Sequence, residues 1–186
     1  MILIRSDMKK IILITLAFLA QILFAQKEIS TAAGIINFEA SVPLYEEVSA
    51  TNNTVYCILN LKSGVLSSEV DVTNFEFKLS LMKDHFNKKY LETDRYPNAY
   101  FIGIIEGFNW KIIGTTPKEF KLKGELKLHG KSKKISTVVA LKKIENKLQI
   151  VSNFRINLKD FDIEIPEILS MKVSERVNID VLFLLQ

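Results

Sequence analysis

Through most of the chain, apolar and polar residues alternate one for one. Ile36, Phe38, Ala40 and Val42 share a face of one segment, and Asn37, Glu39 and Ser41 occupy the other. Val55, Cys57, Leu59 and Leu61 alternate likewise and run into a turn at Lys62-Ser63-Gly64. Phe75, Phe77, Leu79 and Leu81 oppose Glu76, Lys78 and Ser80, which predicts another strand. From Leu122 to His129 the leucines lie opposite the charges. Beyond a turn at Glu145-Asn146-Lys147 comes the longest run, Leu148, Ile150, Ser152, Phe154, Ile156 and Leu158. The last alternation sets Val177, Ile179, Val181 and Phe183 against Arg176, Asn178 and Asp180. Side chains two residues apart share one face of a strand, so each run predicts a half-buried strand. Half-burial is the habit of antiparallel sheets, and the gaps are too short for the crossovers of a parallel one. One stretch has helical spacing: Met82, Phe86 and Tyr90 recur every fourth residue, with Asp84 placed to cap the start. That helix is expected to end before Tyr96-Pro97.

At least seven strands and a short helix fit either a two-sheet sandwich or a closed barrel of about eight strands. Long strands favour the barrel, which removes its own edges. No linker, repeat or composition break divides residues 26–186, so they are expected to form one domain.

The first 25 residues have a different pattern. Lys9 and Lys10 precede an apolar run from Ile11 to Phe24, ending at the small residue Ala25. Fourteen helical residues rise about 21 Å, short of a hydrocarbon core of about 30 Å. The expectation is a signal peptide cleaved after Ala25 rather than an anchor, with translation starting at Met1 or Met8. Leu23 is larger than the usual residue three before such a cut. The formal charge is +4 over the whole chain. Removing Arg5, Asp7, Lys9 and Lys10 leaves 22 bases against 20 acids, a net of +2. Such a near-neutral body carries no nucleic-acid footprint. Cys57 is the single cysteine, so no internal disulfide can form, and its apolar neighbours mark it as a buried, inert thiol.

Catalytic chemistry is sparse. The two histidines, His85 and His129, lie in separate motifs without metal-ligand spacing, and no cysteine cluster accompanies them. No G-x-S-x-G elbow, P-loop or dinucleotide fingerprint is present. Asp84-His85 has the composition of an acid–base pair, but a capping Asp followed by a structural His explains it more simply. The lysines between Lys121 and Lys134 read as a solvated strand face rather than an anionic-headgroup site. A non-enzymatic protein without cofactor or metal is the expectation.

Three blocks carry a resemblance. Asp84-His85-Phe86, followed by Tyr96-Pro97-Asn98-Ala99-Tyr100-Phe101, is similar to the central signature of the YceI-like family. Gly124 to Lys134 resembles that family's Gly-x-Leu hairpin, and Phe154 to Ile163 its late strand and turn. The order and spacing agree over nearly all of residues 26–186. The chain departs from the pattern where Asp84 and His85 are adjacent and where Phe86 replaces the usual Leu. Pro43 to Asn53 lacks the early histidine and glycine-rich opening, as in a divergent, Bacteroidetes-type branch.

The resemblance implies a lipocalin-like antiparallel barrel whose apolar tunnel takes a long-chain isoprenoid or other lipid. The tunnel-lining residues it suggests are Phe38, Phe75, Phe77, Leu79, Phe86, Phe101, Leu126, Leu128, Phe154 and Ile156. The alternative is that the phenylalanines simply fill the core, although Ala40, Gly103 and Ser152 leave room between them. Export implies the periplasm, with secretion or outer-envelope association as alternatives. Transient contact with a membrane surface is a further expectation, and monomer and dimer are both open. Two rival classes remain: a ligand-free structural or assembly β-domain, and an envelope hydrolase.

Overall fold

The structure is a computed structural model describing residues 28–169 and 171–186. The expected signal peptide and its cleavage site lie outside the described residues. The described residues form nine strands: β1 Glu28–Ser41, β2 Ser49–Asn60, β3 Val65–Asp71, β4 Glu76–Phe77, β5 Asn98–Ile105, β6 Lys118–Leu128, β7 Lys131–Ile144, β8 Lys147–Asn157 and β9 Val173–Leu185. Every pairing among them is antiparallel. Eight of these strands follow one another around a ring, β1-β2-β3-β5-β6-β7-β8-β9, and β9 returns to β1. The choice between sandwich and barrel therefore falls to the barrel. Two-residue β4 stands outside the ring and extends the β3 side of β2, pairing Phe77 with Ala50.

Closure is made by β1, which pairs β2 along most of its length and β9 through Ile35–Ser41. Its register against β2 shifts on both sides of Gly34. A Cβ on Gly34 would lie 2.5 Å from the Phe183 ring, so only glycine lets the closing strand approach there. The interior face is apolar and the outer wall carries most of the charges. A membrane-spanning barrel has the opposite polarity, with its apolar band outside.

The two ends differ. At one, Leu59, Ile105, Leu141, Leu148 and Leu185 are wholly buried. The 106–117 connection folds over that end, inserting Ile113 and bonding back through Lys143 N–H to Gly114 O at 2.7 Å. Lys143 Nζ also sits 4.3 Å above the Trp110 ring. The other end carries the 42–48 loop, the helical segment, the 129–130 turn and the 158–172 connection.

Two local expectations are corrected. The strand read from Phe75 to Leu81 stops at Phe77, because helix α1, Ser80–His85, begins directly after it. Leu79 becomes the residue before that helix and Leu81 its exposed first turn. Period two over four apolar residues could not see the change of structure within the run. Asp84 is not a cap either. It lies inside α1, whose start at Leu79 has no side-chain cap, and pairs with Lys88 one turn on at 3.5 Å. After His85 the helix widens into a π turn, Phe86–Tyr90, which keeps Met82, Phe86 and Tyr90 on the side facing the barrel.

Candidate functional site

Inside the second end lies a cavity of about 380 Å³. It extends from the mouth past Phe38, Phe75 and Phe86 to the middle of the barrel, where Leu66, Leu122, Val139 and Ile150 line it. None of the five wholly buried residues of the closed end borders it, so the hollow is blind. Its walls follow from strand alternation: on β8, Ile150, Ser152, Phe154 and Ile156 face in, and Val151, Asn153 and Arg155 face out.

Nine of the ten residues suggested for a tunnel border this cavity: Phe38, Phe75, Phe77, Phe86, Phe101, Leu126, Leu128, Phe154 and Ile156. Leu79 does not; the onset of α1 turns it to solvent. Four of the phenylalanines also hold one another. Phe38 meets Phe75, Phe77 and Phe86 with ring centroids 5.3, 5.7 and 5.4 Å apart. Phe75 and Phe77 lie 5.7 and 5.0 Å from Phe86. This cluster anchors the helical segment over one side of the mouth, so its aromatics both fill and line. Phe154 enters no such ring pair and faces the open lumen.

The space that Gly103 offers is already taken. Gly103 pairs with Gly124, and the tip of Phe101 covers both, within 2.6 and 2.5 Å of where their Cβ atoms would be. Ala40 and Ser152 do border the cavity.

Two of the few polar groups in the depth of the hollow bond to the barrel itself. Ser152 Oγ donates to Val138 O at 2.8 Å, and Thr137 Oγ1 lies 3.3 Å from Ser152 Oγ. Glu46, His85, Tyr90 and Lys172 contribute the polar part of the lining nearer the mouth. Burial raises the Tyr90 hydroxyl above its ordinary pKa. The arrangement therefore offers a mostly apolar depth and a more polar opening. Cys57 lies beyond the lining, wholly buried, and desolvation pushes its thiol up to about 12.

The mouth is held by ion pairs on both flanks. Lys78 bonds Glu47, tying β4 to the 42–48 loop. Lys131 reaches Asp162 at 2.7 Å, and Lys133 reaches Asp160 at 3.5 Å. His129 Nδ1 lies 3.0 Å from Phe161 O, so the hairpin turn grips the 158–163 segment. His129 and His85 thus belong to different structures, a turn and a cavity wall. Among the described residues no cluster of His, Cys, Asp or Glu could hold a metal.

Sequence reasoning missed part of the wall. Leu66, Ser68 and Val70 have the strand period within β3 and were legible in principle. Ile163, Ile165 and Leu169 come from irregular chain with two 3-10 turns, which has no period to read.

A model of the YceI-like domain matches residues 23–184. The chain belongs to the YceI-like family. A solved polyisoprenoid-binding domain from Saccharophagus degradans, implicated in plant cell wall breakdown, superposes on this YceI-like barrel with a TM-score of 0.75 at 13% identity. That match covers 86% of this chain and 98% of the other. BcnA of Burkholderia cenocepacia gives 0.68 at 15% identity, covering 82% and 96%. The YCEI protein of Campylobacter jejuni gives 0.55 at 15%, covering 70% and 78%. At these identities the likeness is one of fold. A search of curated proteins found no match.

Proposed function

We propose that this YceI-like barrel is an exported, non-enzymatic carrier that holds a long-chain isoprenoid or similar lipid in its interior. The observation that carries this reading is the blind cavity of about 380 Å³, open at one end and lined in its depth mostly by apolar side chains. Its volume lies within the range of small-molecule sites, near the lower end, which suits one slender chain. The polyisoprenoid-binding domain of similar fold supports the same class of ligand. His129 is engaged in the hairpin turn, where its Nδ1 meets Phe161 O, which favours a structural role for it over a catalytic one.

The periplasm is the proposed location, supported by Lys9-Lys10, the short apolar run and Ala25. Envelope-derived protein should begin at Gln26 on N-terminal analysis, and an intact Met1 or Met8 terminus in the membrane fraction would reject export with cleavage. Native mass spectrometry of the purified protein, followed by organic extraction, tests the ligand. A co-purifying isoprenoid or acyl lipid at about one per chain is expected. A barrel that is empty, and that also fails to take up added polyisoprenol, would return the protein to the structural or assembly class.

A further inference from the structure

The four most exposed large apolar side chains among the described residues all lie at the open end. They are Leu44 at 102%, Ile168 at 85%, Met171 at 68% and Leu81 at 64% relative exposure. They come from three separate segments, the 42–48 loop, α1 and the 158–172 connection, and these same segments supply Glu46, Met82, His85, Leu169 and Lys172 to the cavity. We infer that this rim is a membrane-docking surface: the barrel sets its mouth against a lipid bilayer by inserting Leu44, Leu81, Ile168 and Met171, which places the cavity over the hydrocarbon. The inference rests on the lipid-carrier reading for its purpose, but on the rim residues alone for its geometry.

Leu44 is the most telling of the four. Tyr45 N–H bonds Val42 O at 3.2 Å, closing a turn with Pro43 second and Leu44 third, and Leu44 has φ +73°. That turn position favours glycine or asparagine. A leucine there is conformationally strained and, being wholly exposed, gains no packing within the molecule. A contact outside the molecule supplies what is missing. Ile102, the most exposed apolar residue of the outer wall, and Tyr100 differ, because their ladder neighbours are polar. Tyr100 is opposed by Glu69 and Lys127, and Ile102 by Ser67 and Glu125.

Charge decides the kind of bilayer. The rim segments 42–48, 80–85 and 158–172 hold seven carboxylates, Glu46, Glu47, Asp84, Asp160, Asp162, Glu164 and Glu167, and three ammonium groups, Lys83, Lys159 and Lys172. Glu47, Asp84, Asp160 and Asp162 pair with Lys78, Lys88, Lys133 and Lys131 of flanking chain, so the rim carries no excess of positive charge. Such a rim has no preference for anionic headgroups, so insertion is apolar and insensitive to salt.

Flotation with phosphatidylcholine vesicles tests this. The parent should float with them equally at low and high salt, and equally if anionic lipid is added. The variant Leu44→Ser/Leu81→Ser/Ile168→Ser/Met171→Ser should partition at least about 100-fold less, since one buried side chain of this size contributes about tenfold. It should still load polyisoprenol from detergent solution, because none of the four lines the cavity. A tryptophan at Leu44→Trp should be quenched by brominated lipid, whereas Trp110, at the closed end, should not. Equal flotation of parent and variant, or dependence on anionic lipid, would overturn the inference. So would a parent dimer that ignores vesicles and becomes monomeric in the variant, which would make the rim a contact between copies of this chain. A parent that docks but never loads polyisoprenol would sink the carrier reading and leave docking standing.

Discussion

Phe154 and Leu141 face the same barrel interior from neighbouring strands, and truncating each should have opposite consequences. Leu141 is wholly buried in the closed end and borders no cavity. Leu141→Ala removes three carbons from a filled region and leaves a new void, so it should cost about 3–5 kcal/mol. For a domain of this size that is a fall in Tm of roughly 6–20 °C. Phe154 is half-buried, enters no aromatic pair and looks into space that already holds no atoms. A fully packed Phe→Ala costs about 3–5 kcal/mol. With much of one ring face already unpacked, Phe154→Ala should cost about half of that, ~1.5–2.5 kcal/mol. Its effect should appear in binding instead. Losing that face from contact with a bound chain removes about 1–1.5 kcal/mol, a five- to tenfold weakening. Thermal melts by circular dichroism, paired with retention of a fluorescent polyisoprenol, measure both quantities on both variants. If Phe154→Ala costs as much as Leu141→Ala and binding is unchanged, the ring is core and the hollow is not a ligand site. If Leu141→Ala weakens binding without loss of stability, the hollow is not blind.

Cys57 should make the fold sensitive to alkali. Its folded pKa is raised by burial from 9.0 to about 12, so its contribution is complete below about pH 9 and is lost as pH climbs towards 12. Urea unfolding of the parent and Cys57→Ala should show the parent losing about 2–3 kcal/mol relative to the variant between pH 9 and pH 11, whereas a pH-independent gap would refute this. Asp84→Ala should change stability by less than about 0.5 kcal/mol, because Asp84 makes only an exposed pair with Lys88; a loss of 1 kcal/mol or more in chemical denaturation would restore a capping role. Gly130→Ala should cost about 1–3 kcal/mol by the same assay, since Gly130 has φ +73° and a Cβ would lie 2.7 Å from the Tyr96 ring.

The barrel was legible wherever one face of a strand is wet and the other dry, because burial then writes a period of two. β1, β2, β6, β8 and β9 are all of this kind. The segment after Phe75 misled for a physical reason. Phe75 and Phe77 face inward from extended chain, and Leu79 and Leu81 continue the spacing by chance across a strand-to-helix junction. Leucine is a good helix former, so its presence could not warn of the change. Asp84 misled similarly, since a capping residue is recognised only against the true first turn, and α1 begins four residues earlier. Closure itself left one trace, the inward Gly34, which acquires meaning only once Phe183 is known to lie against it. The blindness of the cavity left none, because Leu141 and Phe154 look alike in an alternating pattern. What separates them is the 106–117 connection folding over one end and not the other.

A cavity with one opening constrains how a lipid can use it. A head group carried into the depth would find few polar partners, Ser68 and the already bonded Ser152 and Thr137, and most of its own polar atoms would go unpaired. Each such atom costs about 1–3 kcal/mol. A chain entering tail-first avoids that cost and leaves its head beside Glu46, His85 and Lys172. The tail gains about 0.8 kcal/mol per methylene on leaving water, which summed over a long isoprenoid exceeds any observed affinity. Water is not where such a chain resides, however. Against a bilayer, which is equally apolar, most of that gain cancels, and the remaining preference rests on packing along Phe154, Phe101 and their neighbours. A small net preference permits exchange in both directions, but passage through water would still expose the whole tail. A barrel with a single mouth avoids that exposure only if the mouth itself meets the membrane, so on the proposed carrier reading a blind cavity and an apolar rim would serve as two parts of one device.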